Sequence, residues 1–273
     1  DSIATTGLEK GIPGIQVIIS DSKGYTIYNY GHHEIEKTTE VNDSTRWRYG
    51  SITKVFTAVM ILQLESEGKL SIDDSVTKYI DLKQHNAAGI TIKHLLNHSS
   101  GLYNYTASKK LKWEDTPNLC LENSLKRKLN FTPGSKYDYC NTGYVILGLI
   151  IEKITAQSYQ QNITERIFKP CGLESMIYCS DDKIPFNTAR GYKIKHNKYT
   201  DFTEIDHSWA NSAGAVLGNL TDLNKFVDCL FKGNLIDSSQ LKKMISPTII
   251  YRDLNADGME WFYHGVGLCW DLN

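Results

Sequence analysis

Tyr49-Gly50-Ser51-Ile52-Thr53-Lys54 runs without a break into Val55-Phe56-Thr57-Ala58-Val59-Met60-Ile61-Leu62-Gln63-Leu64. A helix drawn through this run is apolar on nearly every side, and such a helix is a buried one. Any fold for the chain must wrap a core around it and carry the serine and the lysine at its head. Ser51 and Lys54 stand three residues apart, about one helical turn, so their side chains share a face. A hydroxyl with an amine one turn away is the minimum for a Ser-Lys nucleophile.

Spacing alone does not select this pair, because six S-x-x-K matches occur in the chain. Ser20/Lys23 falls in a polar turn between two alternating segments. Ser66/Lys69 spans Gly68, where the long helix is expected to stop. Ser75/Lys78 and Ser180/Lys183 lie beside acidic, loop-like clusters. Ser239/Lys242 opens a short helix and reads as an N-cap serine with a solvated lysine. Only Lys54 is drawn by a buried helix into a low-dielectric place. An exposed lysine, with a pKa of about 10.4, is no base near neutrality. Burial disfavours the ammonium and can lower that value by up to roughly 3–5 units. Backbone N–H groups at the head of the helix are placed to hold a developing oxyanion. The competing reading is a capping serine and a snorkelling lysine.

Of the sixteen tyrosines, only Tyr139 begins a Y-x-N, in Pro133-Gly134-Ser135-Lys136-Tyr137-Asp138-Tyr139-Cys140-Asn141. Loop chemistry here leads into an apolar helical stretch from Tyr144 to Ile151. A phenol near a lysine amine can carry protons between nucleophile and leaving group, and Asn141 can hold both the lysine and a substrate amide. The plainer alternative is a structural tyrosine and a capping asparagine.

With these motifs in hand, the chain resembles the serine β-lactamase and penicillin-binding-protein superfamily, in its class C-like branch with D,D-carboxypeptidases and related esterases. The resemblance rests on Gly11 to Ile19 as a first strand, Arg48 to Lys54 with Glu67 to Asp74, and Ile90 to Leu102 as a loop beside the site. It continues through Tyr139-Cys140-Asn141 and Ile167 to Leu173, all in family order. It implies a serine hydrolase forming an acyl-enzyme on Ser51. Lys54 and Tyr139 would move the proton and Asn141 would orient the substrate. The substrate would be a small molecule or peptidoglycan-derived: a D-Ala-D-Ala-type peptide or a small ester first, a β-lactam second. A non-hydrolytic penicillin- or muropeptide-binding protein, or a pseudoenzyme, is the alternative. The resemblance also implies a periplasmic or secreted bacterial protein, any signal peptide having been removed or never present.

One expected part is not found. The family's third motif, Lys/His-x-Gly, occurs nowhere in the chain. The nearest spellings surround His264, whose neighbours read instead as the strand that precedes that motif. The third motif is therefore expected beyond Asn273, and a chain without it is expected to be impaired.

Pattern gives the architecture. Residues 15–20 and 25–30 alternate around Asp21-Ser22-Lys23-Gly24 and read as a β-hairpin. Helical periodicity dominates from about 51 to 170, and residues 185–200 and 247–270 return to strand-like patterning. The expected class is α+β, an antiparallel sheet flanked by helices with an inserted, mostly helical lobe. Its expected division is a sheet lobe from 1–58 and 206–273 and a helical lobe from 59–205. The resemblance makes this the β-lactamase/transpeptidase-like fold.

A net charge of −1 with 41% hydrophobic residues excludes disorder and gives no electrostatic reason to bind nucleic acid. The basic runs Lys109-Lys110-Leu111-Lys112 and Lys126-Arg127-Lys128 read as solvated faces. No apolar run reaches 18 residues, so no transmembrane segment is expected. No cofactor is expected, and no C-x-x-C pair suggests zinc. Among the six cysteines, Cys171 and Cys179 are a candidate pair in an oxidising compartment, and Cys140 reads as a buried filler. His94 and His98 have a metal-like spacing but no third ligand, and they read, like His207, as loop or core residues.

Overall fold

A computed structural model describes residues 2–82, 87–108, 116–179, 184–196, 198–204, 208–254, 260–268 and 271–272, with side chains throughout except at 117, 208, 249–266 and 271–272. The 109–112 basic run, Ser180/Lys183, His207 and Cys269 lie outside the described residues.

The chain opens with α1 (Ser2–Glu9), then the hairpin β1 (Gly14–Asp21) and β2 (Gly24–Gly31), paired antiparallel around the expected turn. A short β3 (Arg46–Arg48) leads through a 3₁₀ turn, Gly50–Ile52, into α2 (Thr53–Ser66). The helical part follows as α3 (Ile92–Leu96), α4 (Pro117–Leu125), α5 (Asn141–Thr155) and α6 (Tyr159–Ile163). Then come β4 (Ile177–Tyr178), β5 (Tyr192–Lys195), β6 (Lys198–Asp201), β7 (Val216–Asn219), α7 (Leu220–Phe231) and α8 (Ser238–Ile245). The strands β8 (Ile249–Leu254), β9 (Glu260–Val266) and β10 (Asp271–Leu272) end it. Every named strand pair is antiparallel, and the mixture is the expected α+β class. Among the described residues the pairing is divided into four short sheets: β1-β2, β3-β7-β4, β5-β6 and β8-β9-β10.

α2 is buried as its composition demands. Phe56, Ala58 to Leu62 and Leu64 are wholly shielded from water, each large one contributing about 1.5–3 kcal/mol by leaving it. Phe56 stacks on Phe226 of α7 at 3.9 Å and meets Phe168 edge-on at 6.1 Å, so one ring ties three segments together. The helix ends before Gly68, whose φ of +68° is the left-handed turn that glycine permits. α5 lies against α2 and α3 with Tyr144 to Gly148 buried. Gly148 lets the chain at Ser212 come close, since a β-carbon there would sit 2.3 Å from Ser212 Oγ.

The central sheet positions the site. β3 pairs with β7, Arg48 opposite Leu217, and the Tyr49 N–H donates to the Val216 carbonyl at 3.0 Å. The chain leaves this sheet at Tyr49 and turns at Gly50 (φ +51°) straight into the serine-bearing turn. The segment just before β7 is thereby brought against the head of α2, where Thr53 Oγ1 accepts the Val216 N–H at 3.0 Å.

Two expectations are corrected. Cys171 bonds to Cys229, not to Cys179, with Cα atoms 6.1 Å apart. Cys179 follows β4 with its thiol buried, whereas Cys171 lies in the turn that packs on α7. Ser239 does not cap α8: Asp237 does, accepting the Gln240 N–H.

Candidate active site

Ser51 lies in the 3₁₀ turn and is exposed, whereas Lys54, one turn on in α2, is 2% exposed. The serine is not a cap. Its Oγ lies 2.6 Å from the Tyr139 hydroxyl and accepts from Lys54 Nζ at 3.1 Å. Lys54 also donates to the Ala213 carbonyl at 2.7 Å and sits over the rings of Tyr139 (5.0 Å) and Tyr144 (5.5 Å). Its amine is therefore enclosed by a hydroxyl, a carbonyl and two aromatic faces. The structure thus brings together Ser51, Lys54 and Tyr139.

Asn141, the fourth predicted residue, opens α5 and lines the same cleft. Its Nδ2 donates to Thr106 Oγ1 at 3.0 Å, and its backbone N–H donates to Asn104 Oδ1 at 3.3 Å. Asn104 Nδ2 in turn donates to the Tyr139 carbonyl at 3.3 Å. Asn104 thus ties Tyr139 and Asn141 to the loop containing Thr106.

The cleft has a volume of about 410 Å³ and runs from Ser51 past Thr106 and Asn141 to an aromatic wall of Tyr105, Phe202 and Trp209. None of the described residues lining it is charged. Tyr105 meets Trp209 edge-on at 6.0 Å and donates its hydroxyl to the Trp209 carbonyl at 2.9 Å. The wall continues into Ser208–Ala213, kinked at Asn211 (φ +42°, ψ −139°). Asn211 Oδ1 receives the Ser212 N–H and the Tyr178 hydroxyl, which hold this unfavourable backbone in place. Thr57 donates to the Ser212 carbonyl at 2.7 Å, and Ser212 donates to the Tyr144 carbonyl at 2.8 Å. Ser212, the residue before the Ala213 carbonyl that receives Lys54, is thus strapped to both α2 and α5.

Sequence reasoning missed His98 as a neighbour of the site. It stands beyond the end of α3 in a left-handed conformation (φ +59°), so it shares no helical face with His94. His94 Nδ1 instead accepts the Thr91 N–H in a capping box. The His98 ring is 5% exposed, with its centroid 4.5 Å from that of Tyr139. Burial first, then the neighbouring Lys54, push its pKa down to about 3. The signal for it lay in the loop Asn97-His98-Ser99-Ser100-Gly101, which sequence places beside the site without a partner. Cys140 is a buried filler, its thiol pushed up to about 11 by burial. Among the described residues no cluster of three or more His, Cys, Asp or Glu could hold a metal ion. No helix of the described residues is long and apolar enough to cross a membrane.

The whole chain, residues 1–273, matches the family model described as Beta-lactamase. It is 28% identical over 279 residues to "Protein flp" of Staphylococcus aureus, covering 96% of this chain and 55% of that protein. It is 30% identical over 240 residues to the "Putative penicillin-binding protein PbpX" of Bacillus subtilis, covering 88% and 60%. Among solved structures it superposes on a D-stereospecific amidohydrolase from Streptomyces sp. with a TM-score of 0.84 and 27% identity, over 99% of this chain and 81% of that one. The chain therefore belongs to the beta-lactamase family, within the serine β-lactamase and penicillin-binding-protein superfamily. It has the hydrolase fold of that superfamily and spans about half the length of the curated relatives it matches.

Proposed function

We propose that the chain is the serine-bearing part of a hydrolase that forms an acyl-enzyme on Ser51. The observation carrying this reading is the short contact of one exposed hydroxyl with both Tyr139 and a lysine almost wholly shut off from water. Ser51 Oγ attacks the substrate carbonyl, and its proton passes to the Lys54–Tyr139 pair. That pair returns the proton to the nitrogen or oxygen that leaves, and water then hydrolyses the ester on Ser51 by the reverse path. The first N–H groups of a 3₁₀ turn have no partner within it, so the Ser51 N–H is one donor to the oxyanion.

The substrate class is a D-Ala-D-Ala-type peptide, a related D-amide, a β-lactam or a small ester. The name of the Streptomyces relative supports an amide of D configuration. The uncharged wall of Tyr105, Phe202 and Trp209 favours a neutral, apolar group beside the scissile bond. The Cys171–Cys229 disulfide supports a place outside the cytoplasm.

Incubation with a fluorescent penicillin followed by intact-mass measurement tests the reading. A covalent adduct, or turnover of a peptide, lactam or ester, is expected with Ser51 present and absent in Ser51→Ala. Neither adduct nor turnover in the unaltered, full-length protein would overturn it.

A further inference from the structure

Tyr139 is held at Ser51 by a loop residue far from it in sequence. The Asp138 N–H donates to the His98 carbonyl at 2.9 Å, and the Cys140 N–H donates to His98 Nδ1 at 3.1 Å. The two peptide N–H groups that flank Tyr139 therefore both end on His98. The His98 ring also lies against the Tyr139 ring, tilted by 35°, with Tyr144 behind it at 5.2 Å and Tyr137 edge-on at 5.9 Å. Asn97, His98, Ser99 and Ser100 are all buried, so this loop is a packed part of the molecule. Ser99 Oγ donates to Asn97 Oδ1, and Asn97 Nδ2 donates to Thr248 Oγ1.

We propose that His98 is a positioning residue for Tyr139, acting through the hydrogen bond from the Cys140 N–H to its unprotonated Nδ1. An imidazole that accepts at Nδ1 carries its proton on Nε2. A doubly protonated ring would set a donor against a donor and release the tyrosine segment. The buried site beside Lys54 favours the neutral ring that the bond requires. The left-handed backbone fits the same purpose, because it turns the carbonyl to Asp138 and the ring to Cys140 from a single residue. This assignment rests on the reading of Ser51 and Tyr139 above for its effect on rate, but not for its effect on where Tyr139 sits.

Two substitutions separate the acceptor from the backbone. Asparagine adopts positive φ readily and places Oδ1 near the position of Nδ1; glycine allows the same φ and removes both acceptor and ring. The full-length protein is labelled with 3-fluorotyrosine at position 139 and followed by fluorine NMR, alongside the kinetics of adduct formation on Ser51. His98→Asn is expected to keep a single narrow fluorine resonance, displaced only by loss of the imidazole ring, and to acylate within a few-fold of wild type. His98→Gly is expected to broaden or split the resonance relative to His98→Asn, which lacks the same ring, and to slow acylation by about 10²-fold, the cost of an ångström-scale misplacement, with the initial non-covalent affinity unchanged. A His98→Gly resonance as narrow as that of His98→Asn and at the same position would overturn the proposal. So would a broadened or split one in His98→Asn, which alone decides the matter if the glycine variant does not fold. If wild type forms no adduct, the Ser51 reading fails while the fluorine resonances still decide the role of His98.

Discussion

Two lysines in this molecule stand three residues after a polar partner at the head of a helix, and they have opposite surroundings. In α2, Lys54 follows Ser51, is 2% exposed, and is met by a hydroxyl, a carbonyl and two aromatic faces. In α7, Lys225 follows Asp222 with its side chain 49% exposed, and it pairs with that carboxylate at 2.8 Å. The spacing is shared; the helices are not. α2 is apolar on all sides and draws its lysine inward, whereas α7 buries only Asp222, Phe226 and Leu230 along one stripe and leaves its lysine in water. Burial and the charge of the partner separate a reactive pair from a structural one.

Three substitutions would break or sharpen that contrast. Lys54→Met should have the largest effect, lowering the rate of acylation of Ser51 by about 10²–10⁴-fold, the range for loss of a positioned proton-transfer group. Because methionine fills a similar volume without a buried amine, the melting temperature should hold or rise. A parallel fall in stability would show that Lys54 serves the fold first.

Asp222→Asn should do the reverse. Burial raises the pKa of Asp222, but hydrogen bonds from Lys225 and the Ser175 N–H outweigh it, and the net shift is downward. A carboxyl depressed on folding contributes stability that is present above its unfolded value of about 3.9 and lost as pH falls through the lower folded value. Denaturant titration at pH 7 should show a loss of about 1–3 kcal/mol, because an amide satisfies only part of this bonding. The gap from wild type should close as pH falls below about 4, while acylation at neutral pH stays within a few-fold. Lys225→Met should have the smallest effect, within about 1 kcal/mol and shrinking with salt, as befits a half-exposed ion pair.

The legible parts of this protein are those governed by local pattern. The hairpin around Asp21-Ser22-Lys23-Gly24, the buried α2 and its end before Gly68 all follow from alternation, all-round apolarity and a glycine stop. Ser51 and Tyr139 could be nominated because each sits in a motif beside a buried helix. What brings them within 2.6 Å is not local, since it requires α5 to pack against α2 and the 138–140 loop to be held from the other side by His98. The cysteine pairing failed for the same reason. Cys179 is nearer Cys171 in sequence, but the packing of α7 puts Cys229 within bonding distance and leaves Cys179 buried just after β4.

By itself, then, the sequence determined that a buried helix would carry a serine and a lysine on one face at its head, because helical period and apolarity are properties of a short stretch. Only the tertiary structure decided what surrounds that face: the Ala213 carbonyl on the lysine, the Tyr139 hydroxyl on the serine, and His98 bracketing the tyrosine. Those contacts join residues from four separate segments. Their distances depend on how the helices and the central sheet pack, which no spacing along the chain records.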